Sequence, residues 1–389
     1  MGTTGLLDGI TVLDLSRVLA GPYAGQLLAD MGADVIKVEP PDGDPARGIG
    51  PHVDGRSLYF SSLNSGKRGI VLDLASTDGQ VAFEALLGRA DILLENLRPG
   101  AAGRLGLAAA GLLERHPTLV VVSISGYARD SAWAEVPTLD LAVQAETGIM
   151  SVTGEAERPP ARAGVPIGDL AAGMWAALAA VAGYLDRLRH GTGRAIEVPL
   201  IDATYTLTSY VATAAAHLEA NPAPVGSAHH SVVPYRAFPT TDGWITIAVI
   251  GDRFWPALVT ALDVDLGPLE GQELGTNPAR VTAREQVDEA VATATARLTT
   301  SEAAERLAAA GVPHARVNGI LDALRTPYAA SRGFVAPVDA AEGRYEVVRG
   351  PLHDGRPLRP APGLGEHTTE VLREVLPAGS PLLASLLPD

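Results

Sequence analysis

Short apolar runs of strand length alternate with helix-length segments through the first half of the chain, and that alternation leaves few folds open. Ile10-Thr11-Val12-Leu13-Asp14-Leu15 is fit for a buried strand. Ser16-Arg17-Val18 leads from it into Ala20-Gly21-Pro22, where Pro22 suits the first turn of a helix ending near Met31-Gly32. Further strands read at 35–38, 70–74, 92–94, 119–123 and 194–198, with helices near 78–87 and 109–115 and a long alanine-rich one at 170–188. This grammar predicts a parallel, Rossmann-like α/β sheet covered on both faces, with ligands at the carboxyl ends of its strands. The turn after the first strand, Leu15 to Gly21, holds one glycine where the dinucleotide fingerprint requires three, which disfavours NAD.

Beyond Asn221-Pro222-Ala223-Pro224-Val225-Gly226-Ser227, a linker by composition, the pattern changes. Runs at 235–238 and 244–249 flank Thr240-Thr241-Asp242-Gly243 as a hairpin, and helices follow at 254–262 and 282–298. Ser301 is expected to cap a short helix that Gly311 ends, and a second alanine-rich helix is expected over 201–219. The chain of 389 residues therefore reads as a large domain over 1–220, a smaller α+β domain over 226–330, and a Pro- and Gly-rich segment over 333–389 that returns to the large domain and carries a helix at 368–375.

A net charge of −15 argues against a nucleic-acid surface. No stretch reads as a membrane span: the most apolar helix carries Asp186 and Arg187 and reads as buried. Met1-Gly2-Thr3-Thr4-Gly5-Leu6 has neither a basic leader region nor the Ser or Thr that myristoylation needs. The absence of cysteine removes disulfides, thiolate metal sites and thiol nucleophiles. A soluble, cytoplasmic protein is expected. His52 and His229-His230 lack metal-ligand spacing, and Ser125-Gly126-Tyr127 is not a nucleophile elbow.

Asp169 has two readings. It stands in Pro166-Ile167-Gly168-Asp169-Leu170, where an apolar stretch gives way to the long helix. A carboxylate there can cap the free N–H groups of the helix start. Held ionised beside a glycine that leaves room for a substrate, it could equally act as a nucleophile.

Several ordered stretches resemble the family III CoA transferases, the CaiB/BaiF family. They are Leu7-Asp8-Gly9-Ile10-Thr11-Val12-Leu13-Asp14-Leu15-Ser16 with Ala20-Gly21-Pro22, Met31-Gly32-Ala33-Asp34-Val35-Ile36-Lys37-Val38-Glu39-Pro40, Asn64-Ser65-Gly66-Lys67-Arg68 with Leu72-Asp73-Leu74, and Glu95-Asn96-Leu97-Arg98-Pro99-Gly100 with Arg104. Asp140-Leu141 with Gln144-Ala145, and Pro362-Gly363-Leu364-Gly365-Glu366-His367-Thr368, extend the likeness towards the end of the chain. The resemblance implies that Asp169 attacks an acyl-CoA thioester to give an aspartyl mixed anhydride, with Asp140 orienting it. It also implies CoA contacts from Val18, Lys67, Arg68, Leu72, Asn96, Leu97, Arg98 and Arg104. Arg17 or Arg253 could bind the acceptor carboxylate. CoA and acyl-CoA would be substrates, with a carboxylic acid as the other partner and no tightly bound cofactor or metal. An interlocked homodimer with active sites between domains is implied as well.

Three departures qualify this. Related racemases carry a His where this chain has Leu139, so an α-proton has no obvious second base and racemisation is disfavoured. Ile250-Gly251-Asp252-Arg253-Phe254-Trp255 has one glycine where formyl-CoA transferases have a glycine-rich lid, and Tyr127 to Trp133 lacks the Gly-Pro of many relatives. An acyl-CoA racemase and a non-catalytic CoA-binding paralogue stay open as alternatives.

Overall fold

The computed structural model describes residues 5–387 apart from Glu342, so the leader and lipidation reading of Met1 to Thr4 lies outside the described residues. The chain divides into two compact units. Unit 1 comprises 1–149, 162–218 and 327–389, and unit 2 comprises 150–161 and 219–326.

Unit 1 is built on six strands: β1 (Thr11–Asp14), β2 (Asp34–Glu39), β3 (Arg68–Val71), β4 (Ile92–Glu95), β5 (Val120–Ser125) and β6 (Arg194–Pro199). They lie in the order β3-β2-β1-β4-β5-β6, every neighbouring pair parallel. This is the doubly wound Rossmann order, and it reverses between β1 and β4. Strands β4 and β5 are buried along their whole length, which is why they read as continuous apolar runs rather than alternating ones.

Four helices of unit 1 surround the candidate site: α1 (Ala20–Asp30), α2 (Asp140–Glu146), α3 (Ile167–His190) and α4 (Leu200–Tyr205). Helix α3 is long and apolar enough, by length and composition, to cross a membrane. One flank, including Ala172, Ala176 and Ala180, is buried in the core with α1 and β5. The opposite flank leaves Met174, Trp175, Leu178, Leu185 and Leu188 exposed. The helix is thus a half-buried amphipath rather than the buried rod its sequence suggested. Packing is close because Gly173 carries no Cβ: one built there would lie 2.7 Å from the Ala20 carbonyl oxygen and 2.8 Å from Tyr23 Cδ1.

The second alanine-rich helix is interrupted, as α4, a 3-10 turn Thr206–Thr208 and a helix Ser209–Leu218. The C-terminal part of unit 1 contributes an antiparallel hairpin, Val335–Ala340 with Gly343–Val348, that the composition of this segment did not announce. Helix Thr368–Val375 is fastened by an exchange in which the His367 N–H donates to the Gly69 carbonyl (2.8 Å) and the Gly69 N–H donates to His367 Nδ1 (3.2 Å).

In unit 2, strands Tyr235–Thr240 and Gly243–Ala248 form the hairpin, and His314–Arg316 adds a third antiparallel strand. Helices Phe254–Leu262, Arg284–Thr295 and Thr300–Ala309 cover its apolar face. The last of these is capped by Thr299 rather than Ser301: Thr299 and Glu302 form a reciprocal capping box, two residues earlier than expected.

Candidate active site

Asp169 is the third residue of α3, inside its first turn rather than at the cap. Pro166 holds the cap position and provides no side-chain bond, so the helix start needs an outside acceptor. Asp140 supplies it. Its Oδ1 accepts the Gly168 N–H at 2.9 Å, and its Oδ2 accepts the Gln144 amide at 2.7 Å. Gln144 in turn accepts the Ala163 N–H at 2.9 Å, so the segment entering α3 is tied to α2 at two points. Gly168 permits this: an added Cβ would stand 2.8 Å from Val143 Cγ2, 2.9 Å from Thr204 Oγ1 and 3.1 Å from Asp140 Oδ1.

The two carboxylates therefore meet at one helix start. Burial, and secondly the negative charge of Asp140, push the Asp169 carboxyl up to about 7. Tyr59, on the short helix Leu58–Asn64, belongs to the same electrostatic environment. Its phenol is raised to about 12, first by burial and then by the charges of Asp169, Asp44 and Asp140. No sequence signal pointed to Tyr59, because its partners are more than a dozen residues away along the chain.

Next to α3 lies the reversal point of the sheet. Asn96, just after β4, accepts the Arg17 N–H on Oδ1 (2.9 Å) and donates through Nδ2 to the Arg17 carbonyl (2.8 Å). This fixes the turn after β1 on both sides of one residue. Val18 then takes a φ of 69°, a conformation that β-branched residues rarely adopt. Asp44 holds it there, accepting the Val18 N–H at 3.1 Å while pairing at 2.8 Å with the fully buried Lys37. Lys37 also donates to the Ser16 carbonyl at 3.0 Å. Across the crevice, Arg129 donates to Glu95 (2.7 Å) and to the Leu97 carbonyl (3.3 Å), while Glu95 accepts the Leu97 N–H (2.9 Å). The loop carrying Asn96 and Leu97 is clamped from both sides, and sequence reading missed Arg129 as its clamp.

The basic residues singled out by sequence separate into two groups. Arg98 and Arg104 are exposed and, among the described residues, have no side-chain partner. Lys67 is wholly buried and donates to Asp14 (2.7 Å), the Pro22 carbonyl (2.8 Å) and Asn64 (2.9 Å), which leaves no donor for a phosphate. Burial alone would raise Asp14, but Lys67 and Lys37 outweigh it and hold its carboxyl below the ordinary value. Arg68 begins β3, at the amino end of the sheet, and pairs with Asp34, Glu370 and Glu374. Leu72 is a core residue. The expected Lys67 and Arg68 phosphate contacts thus meet side chains already committed within the chain, at positions that lock β2, β3 and the C-terminal helix together. Arg253 belongs to unit 2, where its guanidinium lies over the Phe254 ring at 4.8 Å.

A polar cavity of about 550 Å³ also opens at the amino ends of β2 and β3, lined in part by Asp34, Arg68, Arg349, Arg356 and Glu374. Arg68, Arg349 and Arg356 are already in ion pairs, and the cavity lies at the wrong end of a parallel sheet for a crevice ligand. Among the described residues no cluster of three or more His, Cys, Asp or Glu could hold a metal.

The family described as CoA-transferase family III matches residues 7–368. The succinate–glutarate CoA-transferase of Agrobacterium fabrum is 34% identical over 382 residues, covering 95% of both chains. The succinyl-CoA:mesaconate CoA-transferase of Haloarcula marismortui is 34% identical over 387 residues, 95% of this chain and 96% of its own. Among solved structures, a CAIB/BAIF family protein from Brucella suis superposes with a TM-score of 0.85 at 31% identity, covering 96% of this chain and 100% of that one.

Proposed function

The chain belongs to CoA-transferase family III and is a CoA-transferase acting between carboxylic acids, and we propose that the transfer runs through covalent acylation of Asp169. The observation that carries this reading is the pair of carboxylates at the start of α3. The Asp169 side chain has no hydrogen bond among the described residues, and its carboxyl is raised to about 7, so its ionised form is a stronger base and nucleophile than an ordinary aspartate.

In the proposed sequence an Asp169 oxygen attacks the thioester carbonyl of the donor. The C–S bond breaks, CoA thiolate leaves, and an acyl–aspartyl anhydride remains. Thiolate then attacks the aspartyl carbonyl, releasing the donor acid and leaving Asp169 as a thioester. The acceptor carboxylate attacks that thioester, expelling thiolate and forming a second anhydride. Attack of thiolate on the acceptor's carbonyl completes the transfer and frees Asp169. No proton is gained or lost overall. Asp140 acts as a positioning residue, since it holds the Gly168 N–H and thereby the first turn that carries Asp169. The positive end of the α3 dipole, rather than the committed N–H groups of Ile167, Gly168 and Leu170, favours the developing oxyanion.

For CoA, the reading favours the reversal point, with Val18, Asn96 and Leu97 forming the loop walls and Arg98 and Arg104 meeting phosphates. A homodimer, interlocked as the resemblance implied, belongs to the same proposal. Its support is the exposed apolar flank of α3, together with exposed Tyr205, Leu207 and Tyr210. A cytoplasmic location, with no nucleic-acid or membrane partner, rests on composition alone.

The test is to incubate the protein with succinyl-CoA, trap with hydroxylamine and determine the mass of the peptide containing Asp169. A hydroxamate on Asp169, lost in Asp169→Ala together with transfer, is expected. Transfer that persists in Asp169→Ala would overturn the covalent mechanism.

A further inference from the structure

Arg17 departs from the rule that governs the other sheltered arginines of unit 1. Arg47, Arg56, Arg68, Arg129, Arg187 and Arg349 are all buried or half-buried, and each donates to a carboxylate or a carbonyl. Arg17 is half-buried too, yet its guanidinium has no hydrogen bond or ion pair among the described residues. Partial burial of a cation without a partner is unfavourable, and a protein retains it where an anion from outside completes the site.

The backbone around Arg17 is correspondingly fixed. Asn96 bonds both its N–H and its carbonyl, and the strained Val18 next to it is held by the buried Asp44. The turn also lies beside the proposed nucleophile. Ala20, three residues on, is close enough to α3 that a Cβ on Gly173 would touch its carbonyl at 2.7 Å. Asp169 lies one helical turn before Gly173, about 6 Å along the axis. Tyr59 links the two places, since its phenol senses the charges of both Asp169 and Asp44, and Asp44 holds the Val18 N–H next to Arg17.

We propose that Arg17 binds the second carboxylate of a dicarboxylic substrate, so that the enzyme moves CoA between short dicarboxylic acids. This deepens the transferase reading and rests on it. Guanidinium is the group suited to this task, because its planar fork can meet both oxygens of a carboxylate at once. The acids in the names of the two relatives, succinate, glutarate and mesaconate, share a second carboxylate, which agrees with the assignment. The exposed Arg98 and Arg104, outside the half-buried turn, remain for the phosphates of CoA.

The experiment uses the full chain with succinyl-CoA as donor and compares glutarate with valerate, which has the same length and one carboxylate. The wild type should favour glutarate strongly in kcat/KM. Because the donor acid leaves before the acceptor attacks, kcat/KM for the acceptor is free of any effect on succinyl-CoA: in Arg17→Met it should fall about 10- to 100-fold for glutarate and stay within about threefold for valerate, as expected for loss of one charge-assisted contact. Arg17→Lys should restore part of the glutarate rate, and the Kd for free CoA, measured by calorimetry, should stay the same in both variants. An equal fall in acceptor kcat/KM for both acids would overturn the assignment. So would weakened CoA binding with selectivity intact, which would make Arg17 a phosphate ligand. A wild type that uses both acids equally would also overturn it. Failure of the wild type to transfer CoA to any acid would instead remove the transferase reading itself, and the Arg17 assignment with it.

Discussion

Asp140→Asn isolates the electrostatic part of the site. Asp169 is raised from an ordinary 3.8 to about 7, with burial the larger cause and the Asp140 charge the second. That displacement corresponds to about 4 kcal/mol favouring the protonated acid, of which the Asp140 share is the smaller. Asparagine keeps an oxygen to accept the Gly168 N–H, so the helix start is preserved while the charge is removed. Its amide would face the Gln144 amide, donor against donor, and turning Gln144 would forfeit the Ala163 bond. A small stability loss of about 1 kcal/mol is therefore expected alongside the electrostatic effect. The assay is kcat/KM for succinyl-CoA from pH 5 to 9, whose acid limb reports the nucleophile in the free enzyme. With the wild-type limb near 7, about a tenth of Asp169 is ionised at pH 6, and removing the Asp140 charge lowers the limb and raises that fraction. The variant should thus retain a larger share of its alkaline plateau rate at pH 6 than the wild type, and a limb lowered by one unit would read there as about fivefold. A limb that stays in place, or moves upward, would refute the claim that the two carboxylates interact.

Stability should respond to the same group in the opposite sense. Because the folded-state carboxyl of Asp169 is raised, the folded protein holds that proton more tightly, and stability is lost as pH rises through about 7. Asp169→Asn should match the wild type near pH 4 and exceed it at pH 8, by at most about 4 kcal/mol, in urea denaturation at the two pH values. Gly173→Ala should cost about 1–3 kcal/mol, since the added methyl meets backbone at 2.7 Å rather than a movable side chain, and the loss will appear in the same denaturation curves. Asp44→Ala should cost about 3 kcal/mol by removing the ion-pair partner of the buried Lys37, which keeps only the Ser16 carbonyl and the charge of Asp14, with thermal melting as the check. Leu178→Glu combined with Leu185→Glu should convert a dimer to monomer in light scattering. A wild type that is already monomeric would remove the dimer proposal.

The sheet was readable because its strands are buried on both faces, so apolar runs such as Leu119 to Val122 carry the signal without help from neighbours. Segments whose structure depends on distant partners were less readable. The hairpin Val335–Ala340 with Gly343–Val348 contains Pro337 and several polar residues, and local propensity reads that mixture as loop. The break at Ser209, with its φ of 41°, interrupts an alanine-rich stretch that favours helix throughout. The shift of a cap from Ser301 to Thr299 was decided by Glu302, which can close a reciprocal box with Thr299 alone.

Distant partners also decide which basic residues are left for function. Lys67, Arg68, Arg98, Arg104 and Arg17 are equivalent in sequence, each a cation in or near a motif. Their fates were set by acids that the motifs do not contain. Lys67 meets Asp14, 53 positions earlier, and Arg68 meets Glu370 and Glu374 more than 300 positions later. Neutralised in this way, both serve the fold. No acid reaches Arg17, Arg98 or Arg104 among the described residues, and all three lie beyond the carboxyl ends of β1 and β4, where the sheet reverses. Among the described residues, exposed arginines without a partner are common elsewhere on this chain, Arg89, Arg189 and Arg373 included, so exposure alone selects nothing; Arg17 is set apart because it is half-buried, and because it stands in the fixed turn where the sheet reverses. A sheltered cation without an internal partner, in the turn that Asn96 and Asp44 fix, is what suits that end of the sheet to receiving an anion.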